Sequence, residues 1–112
     1  MATKKEYKDK IEYKNELGQL HREDGPAREW TDGTKQWYIN GLCHREDGPA
    51  VEYNDGSKEW YINGKLHRED GPAIEWSNGY KVWYLNGEVY FEQQWQQEVI
   101  KIKLQRLKSY GN

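Results

Sequence analysis

The sequence has few of the residues that build a thick aliphatic core or a cross-linked one. Cys43 is the only cysteine among 112 residues, and a single cysteine cannot form an intramolecular disulfide. Phe and Met each occur once, and only 35% of the residues are hydrophobic. No apolar run approaches the roughly 18 residues that a membrane-spanning helix needs. These absences predict one domain, residues 1–112, with a thin core, no membrane segment and a cytoplasmic location.

Aromatic and charged residues take the place of the missing aliphatic ones. There are six Trp and nine Tyr, whose rings bury a large area while keeping a polar tip for water or a hydrogen bond. Charged residues make up 32% of the chain, with both signs interspersed, and the formal net charge is −2. This charge offers no general attraction for nucleic acid, so we do not expect a nucleic-acid partner.

Most of the chain is a repeat of 23 residues. The units span residues 18–40, 41–63 and 64–86, and fourteen of the 23 positions are identical in all three. Residues 1–17 form a lysine-rich lead-in that ends in a degenerate half-repeat. Each unit must be one supersecondary building block, because repeats of this length bury their apolar surface by stacking.

Two turn signals in each unit predict two β-strands per repeat. Asp-Gly or Asn-Gly occurs at 32–33, 55–56 and 78–79, and Asn-Gly recurs at 40–41, 63–64 and 86–87. These dipeptides favour two-residue type I′ turns between antiparallel strands. Such a turn at Asp32-Gly33 would place Trp30 opposite Lys35 and Arg28 opposite Trp37, with the five tryptophans of the repeats on one apolar face. We therefore predict a mainly β fold, an antiparallel meander of hairpins in a single sheet.

A C-terminal helix is predicted over residues 91–110. The apolar residues there no longer occur at every second position, as in a strand, but at the three- and four-residue spacing of a helix. No Pro or Gly interrupts this segment. Phe91, Trp95, Val99 and Ile102 form one stripe, which would pack on the sheet. Ile100, Leu104 and Leu107 form a second stripe. Either this stripe is also buried, or it contacts a partner that is a copy of this chain or a foreign protein. The candidate partner-binding residues are Trp95, Val99, Ile100, Leu104 and Leu107.

The segment His-Arg-Glu-Asp-Gly-Pro-Ala recurs in every unit. Its residue types make it the part of the sequence that most suggests a catalytic or metal-binding site. Histidine beside carboxylates could perform acid–base catalysis, and three histidines could bind a metal. Equivalent residues of adjacent units should lie roughly 10 Å apart, two strand spacings, which is too far for a shared zinc. We therefore expect structural roles, no catalytic residue, no metal and no cofactor. The alternative is a ligand-contacting rim of His21, Arg22, His44, Arg45, His67 and Arg68.

The motif G-x-x-H-R-E-D-G-P-A-x-E-[WY]-x-[DN]-G-x-K-x-W-Y-[IL]-N resembles repeat proteins of bacteriophages and some large viruses. It is also similar to the MORN-type repeat, in which a 23-residue unit forms a β-hairpin and hairpins stack into an elongated sheet. The resemblance covers residues 18–87. It implies a MORN-like recognition scaffold, a phage accessory protein that binds and inhibits a host factor in the host cytoplasm, and it brings no catalytic residues.

Three function classes follow from these observations. The first is a protein-interaction module that binds a host protein or a second copy, as a homodimer, through the helix and the sheet surface. The second is a binding protein for a small anionic, nucleotide-like ligand, which Arg22, Arg45 and Arg68 would hold. The third is an enzyme, which the sequence disfavours because it offers no nucleophile, phosphate loop or metal-ligand set.

Overall fold

The computed structural model describes residues 2–110. Within that range short antiparallel strands are followed by one C-terminal helix, so the predicted mainly β fold is confirmed. The strands are β1 Thr3–Glu6, β2 Lys10–Lys14, β3 Arg28–Trp30, β4 Lys35–Gln36, β5 Tyr38–Ile39, β6 Leu42–Cys43, β7 Val51–Glu52, β8 Lys58–Glu59, β9 Tyr61–Ile62, β10 Lys65–Leu66, β11 Ile74–Glu75, β12 Lys81–Leu85 and β13 Glu88–Tyr90. The helix, α1, is Glu92–Tyr110.

Nine of the strands in residues 2–110 form one antiparallel sheet in the order β1-β2-β3-β4-β7-β8-β11-β12-β13. Two further hairpins, β5-β6 and β9-β10, continue from the ends of β4 and β8. The seven residues between β6 and β7, and between β10 and β11, carry the His-Arg-Glu-Asp-Gly-Pro-Ala segment. Each of the first two repeats therefore adds two strands to the sheet and one projecting hairpin, whereas in the third repeat β12 itself continues into the hairpin with β13.

The Asn-Gly turns between β5 and β6 and between β9 and β10 are the predicted two-residue turns. Asn40 has a φ of 47° and Gly41 a φ of 81°, and Ile39 pairs with Leu42 on either side of them. Positive φ at both central residues is the property of a type I′ turn. This prediction is confirmed.

The Asp-Gly turns are different, and the predicted two-residue turn at Asp32-Gly33 is wrong. The Trp30 N–H donates to the Thr34 carbonyl at 2.9 Å, so three residues form the loop, and only Gly33 has a positive φ. Oδ1 of Asp32 accepts a hydrogen bond from the Thr34 N–H at 2.8 Å. The aspartate thus stabilises a type I turn followed by a left-handed glycine. The turns at 55–56 and 78–79 repeat these bonds.

The extra loop residue shifts the strand register by one and corrects the predicted faces. Glu29 pairs with Lys35, and Arg28 with Gln36. Directly opposite residues share a side of the sheet, so the two aromatic residues that flank each turn, such as Trp30 and Trp37, lie on opposite sides. We call the side that carries Trp37, Trp60 and Trp83 the arginine face. The side that carries Trp30, Tyr53 and Trp76 is called the tyrosine face.

The helix packs on the end of the sheet at β12 and β13. Leu85, Trp95 and Val99 are buried together, with Trp83 and Ile102 packed around them. This contact supplies the thin apolar core of the third repeat. Phe91 precedes the helix and is 82% exposed, so its predicted place in the packed stripe is wrong. No helix in the described part of the chain has the length and apolar character to cross a membrane.

Candidate binding surfaces

The histidine of each repeated segment supports the Asn-Gly turn of the same unit. Nδ1 of His44 accepts a hydrogen bond from the backbone N–H of Asn63 at 2.9 Å. His21 with Asn40 and His67 with Asn86 make the same bond at the same length. An Nδ1 that accepts requires the proton of the neutral ring to be on Nε2. The imidazole is therefore a cap for a strained turn.

The arginine of each segment is held between an aromatic ring and a glycine. Cζ of Arg45 lies 3.9 Å from the centre of the Trp37 ring. Its Nε donates to Asp47 at 2.9 Å, and its Nη1 donates to the Pro49 carbonyl at 3.1 Å. A Cβ atom on Gly48 would be 2.9 Å from Cζ, so glycine at this position leaves room for the guanidinium. Equivalent stacked pairs are Arg68 on Trp60 at 3.7 Å and Arg22 on Tyr13 at 4.0 Å.

These contacts give the segment a structural role and occupy the predicted ligand rim. Each arginine already donates to an aspartate and to a carbonyl, and each histidine nitrogen Nδ1 already has a donor. The structure brings His, Arg and Asp together within a unit. In residues 2–110 no three His, Cys, Asp or Glu side chains are placed to hold a metal ion. Ligand binding by His21, Arg22, His44, Arg45, His67 and Arg68 stays a prediction.

The helix separates the predicted partner-binding residues into two groups. Trp95 and Val99 are 8% and 5% exposed and belong to the contact between helix and sheet, where a partner could not reach them. Ile100, Leu104 and Leu107 are 57%, 53% and 65% exposed. Their spacing of four and three residues places them along one side of the helix. We call these three residues the helix stripe.

Two polar contacts fix the helix on the third repeat. Nε1 of Trp95 donates to the Arg68 carbonyl at 3.0 Å. Nη1 and Nη2 of Arg106 donate to the two carboxylate oxygens of Glu69, and the Nη2 bond measures 2.7 Å. These hydrogen bonds hold the pKa of Glu69 below its ordinary value. Sequence reasoning missed Arg106, since nothing in the helical spacing identified its partner 37 residues away.

A groove of about 940 Å³ lies between the second half of α1 and the repeated segments of the second and third units. Its walls carry cations and anions in equal number: Arg45, Arg68, Lys103 and Arg106 face Glu46, Asp47, Glu69 and Asp70. Balanced charge gives no strong attraction for a small anion. The geometry of the groove does not favour the small-ligand hypothesis over the protein-interaction one.

The tyrosine face contains a buried carboxylate beside phenols and the single thiol. Glu59 is 9% exposed, and its Oε1 accepts a hydrogen bond from the Tyr61 hydroxyl at 3.2 Å. Burial, with the nearby Glu59 charge, raises the pKa of Cys43 to about 12. The same two causes raise the pKa of Tyr53 to about 12. Cys43 and Tyr53 stay protonated at neutral pH, so neither is an activated nucleophile.

Comparison with known proteins adds no further residue roles. No protein-family model, curated protein or solved structure matches this chain. The resemblance to viral repeats and to MORN repeats stays a prediction made from the sequence motif.

Proposed function

We propose that the protein is a protein-interaction module whose contact surface is the helix stripe, Ile100, Leu104 and Leu107. The observation that carries this proposal is the exposure of all three side chains on a helix that is already packed on the sheet by a different stripe. An amphipathic helix needs only one apolar face to pack on its own fold. An additional exposed aliphatic stripe is typical of a surface that docks in a groove of another protein.

The remainder of the fold makes the helix a rigid contact element. Trp95 and Val99 fix its first half in the core, and the Arg106–Glu69 pair fixes its second half. A surface that is ordered before binding loses less conformational entropy on association. The repeats thus act as a platform that presents the helix stripe.

The nature of the partner follows from the residues around the stripe. Lys101, Lys103 and Lys108 are exposed on the same half of the helix, where a partner with an acidic rim around an apolar groove would complement them. The resemblance to phage repeats supports a host protein as the partner, bound and inhibited in the cytoplasm of the host cell. A second copy of this chain is the alternative occupant, and the experiment below separates the two.

The test is a matched pair of variants in the full chain. Leu104→Asp places a charge in the centre of the helix stripe, whereas Leu17→Asp changes a residue that is 82% exposed in the loop before the first repeat. Tagged proteins are used to purify partners from host lysate, followed by size-exclusion chromatography and sedimentation of the purified protein alone. We expect one stoichiometric host complex that Leu104→Asp abolishes and Leu17→Asp retains, at unchanged thermal stability.

Two outcomes would reject this function. Retention of the complex by Leu104→Asp would exclude the helix stripe as the contact surface. A wild-type dimer that Leu104→Asp dissociates, with no host partner, would assign the stripe to self-association. A thermal-shift screen against nucleotides addresses the small-ligand hypothesis, which predicts a large rise in Tm.

A further inference from the structure

The outer side of β12 is an open sheet edge, separate from the helix stripe. The equivalent strands of the first two repeats have neighbours on both sides, since β4 lies between β3 and β7 and β8 lies between β7 and β11. β12 pairs with β11 at Lys81 and Val82, but β13 pairs only with Trp83 to Leu85. Within residues 2–110 no strand pairs with the outer side of Lys81–Val82.

Apolar residues surround this open edge. Tyr80 and Val89 are each 61% exposed, and Phe91 is 82% exposed. A cavity of about 310 Å³ lies here, lined by the edge strand and by the chain that leads into α1, with Lys81 and Glu92 as its two charged residues. Ser57, which occupies the position of Tyr80 one repeat earlier, is only 3% exposed. Inside the repeat array the next strand, β11, lies beside β8 and covers the position of Ser57. No strand covers the equivalent position, Tyr80, within residues 2–110.

The opposite edge of the sheet is protected in a different way. β1 consists of the exposed residues Thr3–Glu6, and Lys4, Lys5 and Glu6 supply charge along it. Charged side chains on an edge strand oppose pairing with other chains. The β12 edge has no comparable series of charges, so the two edges are not equivalent.

We propose that the open β12 edge binds an extended segment of a partner protein with the sequence type Ala-Val/Ile-Glu-Tyr/Trp. The structure itself provides the template, because strands of this type pair with the equivalents of β12 in the first two repeats. Lys35 pairs with Glu52, and Lys58 pairs with Glu75. The Trp37 N–H donates to the Ala50 carbonyl at 2.8 Å.

The template specifies the contacts of the bound segment. Its glutamate lies opposite Lys81, its aliphatic residue opposite Val82 and its alanine beside Trp83. Addition of a strand to an exposed edge gains main-chain hydrogen bonds, while the side-chain positions provide the sequence preference. Opposite charges across two strands favour the correct register. The aromatic residue would extend the row in which Tyr53 and Trp76 have ring centres 6.2 Å apart.

A partner protein fits this edge better than a second copy of the chain. The strands of matching sequence are internal to the sheet, and the alanines that begin them, Ala50 and Ala73, are 0% exposed. The β1 edge of a second copy would present Lys4 and Lys5 to Lys81, and its β12 edge would bring a second Lys81 to the same two-residue edge. Like charges are unfavourable in both pairings. A segment that is extended or disordered in its own protein has neither obstacle.

The experiment uses the full-length protein and a fluorescein-labelled peptide that copies residues 48–55. We expect saturable binding by fluorescence polarisation. Glu52→Lys in the peptide should weaken binding about fivefold, and the protein variant Lys81→Glu should reverse this preference. N-methylation at the Glu52 amide should abolish binding, because the antiparallel ladder directs this N–H to Lys81. N-methylation at the Val51 amide, which points away from the edge, is the matched control and should have little effect.

Backbone NMR locates the peptide and separates this proposal from the function proposed above. Amide shifts at Tyr80–Trp83 are expected, and Leu104→Asp should bind the peptide as the wild type does. No saturable binding at about 1 mM protein would overturn the proposal. Shifts confined to Thr3–Glu6 or to the helix stripe, or equal effects of the two N-methyl groups, would also overturn it.

Discussion

Cζ of Arg68 lies 3.7 Å from the centre of the Trp60 ring, and this contact joins the third repeat to the second. Arg45 makes the same contact with Trp37, one repeat earlier, at 3.9 Å. A stacked guanidinium that is shielded from water contributes on the order of 1–2 kcal/mol. The repeated arginine therefore stabilises the junction between units.

The stacked arginine makes glycine necessary at Gly48 for steric reasons. Gly48→Ala would place a Cβ atom 2.9 Å from Cζ of Arg45 and displace the guanidinium from Trp37. We expect a loss of about 1–2 kcal/mol in the free energy of unfolding, measured by urea denaturation with tryptophan fluorescence. In an Arg45→Ala background the same change should be neutral or slightly stabilising, since Gly48 has no positive φ. Equal effects of Gly48→Ala in both backgrounds would contradict this account.

The positive φ of Asn63 predicts a different response at the type I′ turn. Asn63 has a φ of 50°, a conformation that costs a residue with a Cβ atom about 1–2 kcal/mol. Asn63→Ala should therefore lower the free energy of unfolding by about 1 kcal/mol, whereas Asn63→Gly should be close to neutral. The two variants are compared by the same urea titration, and a glycine variant less stable than the alanine variant would refute the prediction.

The Arg106–Glu69 pair should make helix docking depend on pH. Hydrogen bonds from Arg106 lower the pKa of Glu69 in the folded protein. The resulting stability is fully present above the unfolded pKa, about 4.3, and is lost as the pH falls through the lower folded pKa. We expect Arg106→Gln to cost no more than about 1 kcal/mol at neutral pH, because Arg106 is half exposed.

Unfolding of wild type and Arg106→Gln in urea at several pH values measures this dependence. The difference between them should be constant above about pH 5 and should shrink below about pH 4. Lys101→Gln, which removes a pair with Glu98 on the exposed helix surface, is the control and should have a smaller effect. A difference that grows on acidification would have the wrong sign for a lowered carboxyl pKa.

The single thiol should be unreactive in the folded protein. Burial raises the pKa of Cys43 to about 12, so almost no thiolate, the reactive form, is present at pH 8. We expect its reaction with a disulfide reagent at pH 8 to be at least about a hundredfold slower than in concentrated guanidinium chloride. Equal rates in the two conditions would show that the folded chain exposes Cys43.

The turns and the helix that could be predicted from the sequence are those specified by residues adjacent to each other in the chain. The Asn-Gly turn at Asn40-Gly41 follows from the backbone conformations that these two residues tolerate. The change of apolar spacing located α1 to within one residue of its observed start at Glu92. Both signals lie in neighbouring residues, and the tertiary contacts of the folded chain agree with them.

Features that depend on side-chain contacts were not predictable in the same way. The dipeptide Asp32-Gly33 fits both a two-residue and a three-residue turn, and the bond from the Thr34 N–H to Asp32 decides between them. That single choice divides the tryptophans of the repeats between the two faces of the sheet, where one shared face was predicted. The stacking of Arg45 on Trp37 was missed because the assumed register placed Arg28, from the same hairpin, opposite Trp37.

The arginine of each unit stacks on the aromatic ring of the unit before it, so Trp83, at the end of the series, has no arginine to follow it. Trp95 and Val99 of the helix pack with Trp83 instead, and α1 thus terminates the array. Because every internal junction uses the same contacts, excision of residues 41–63 would bring Trp37 beside Arg68 in the geometry that already joins their neighbours. We expect the number of units to be adjustable by gain or loss of whole 23-residue blocks, with the terminating helix unchanged.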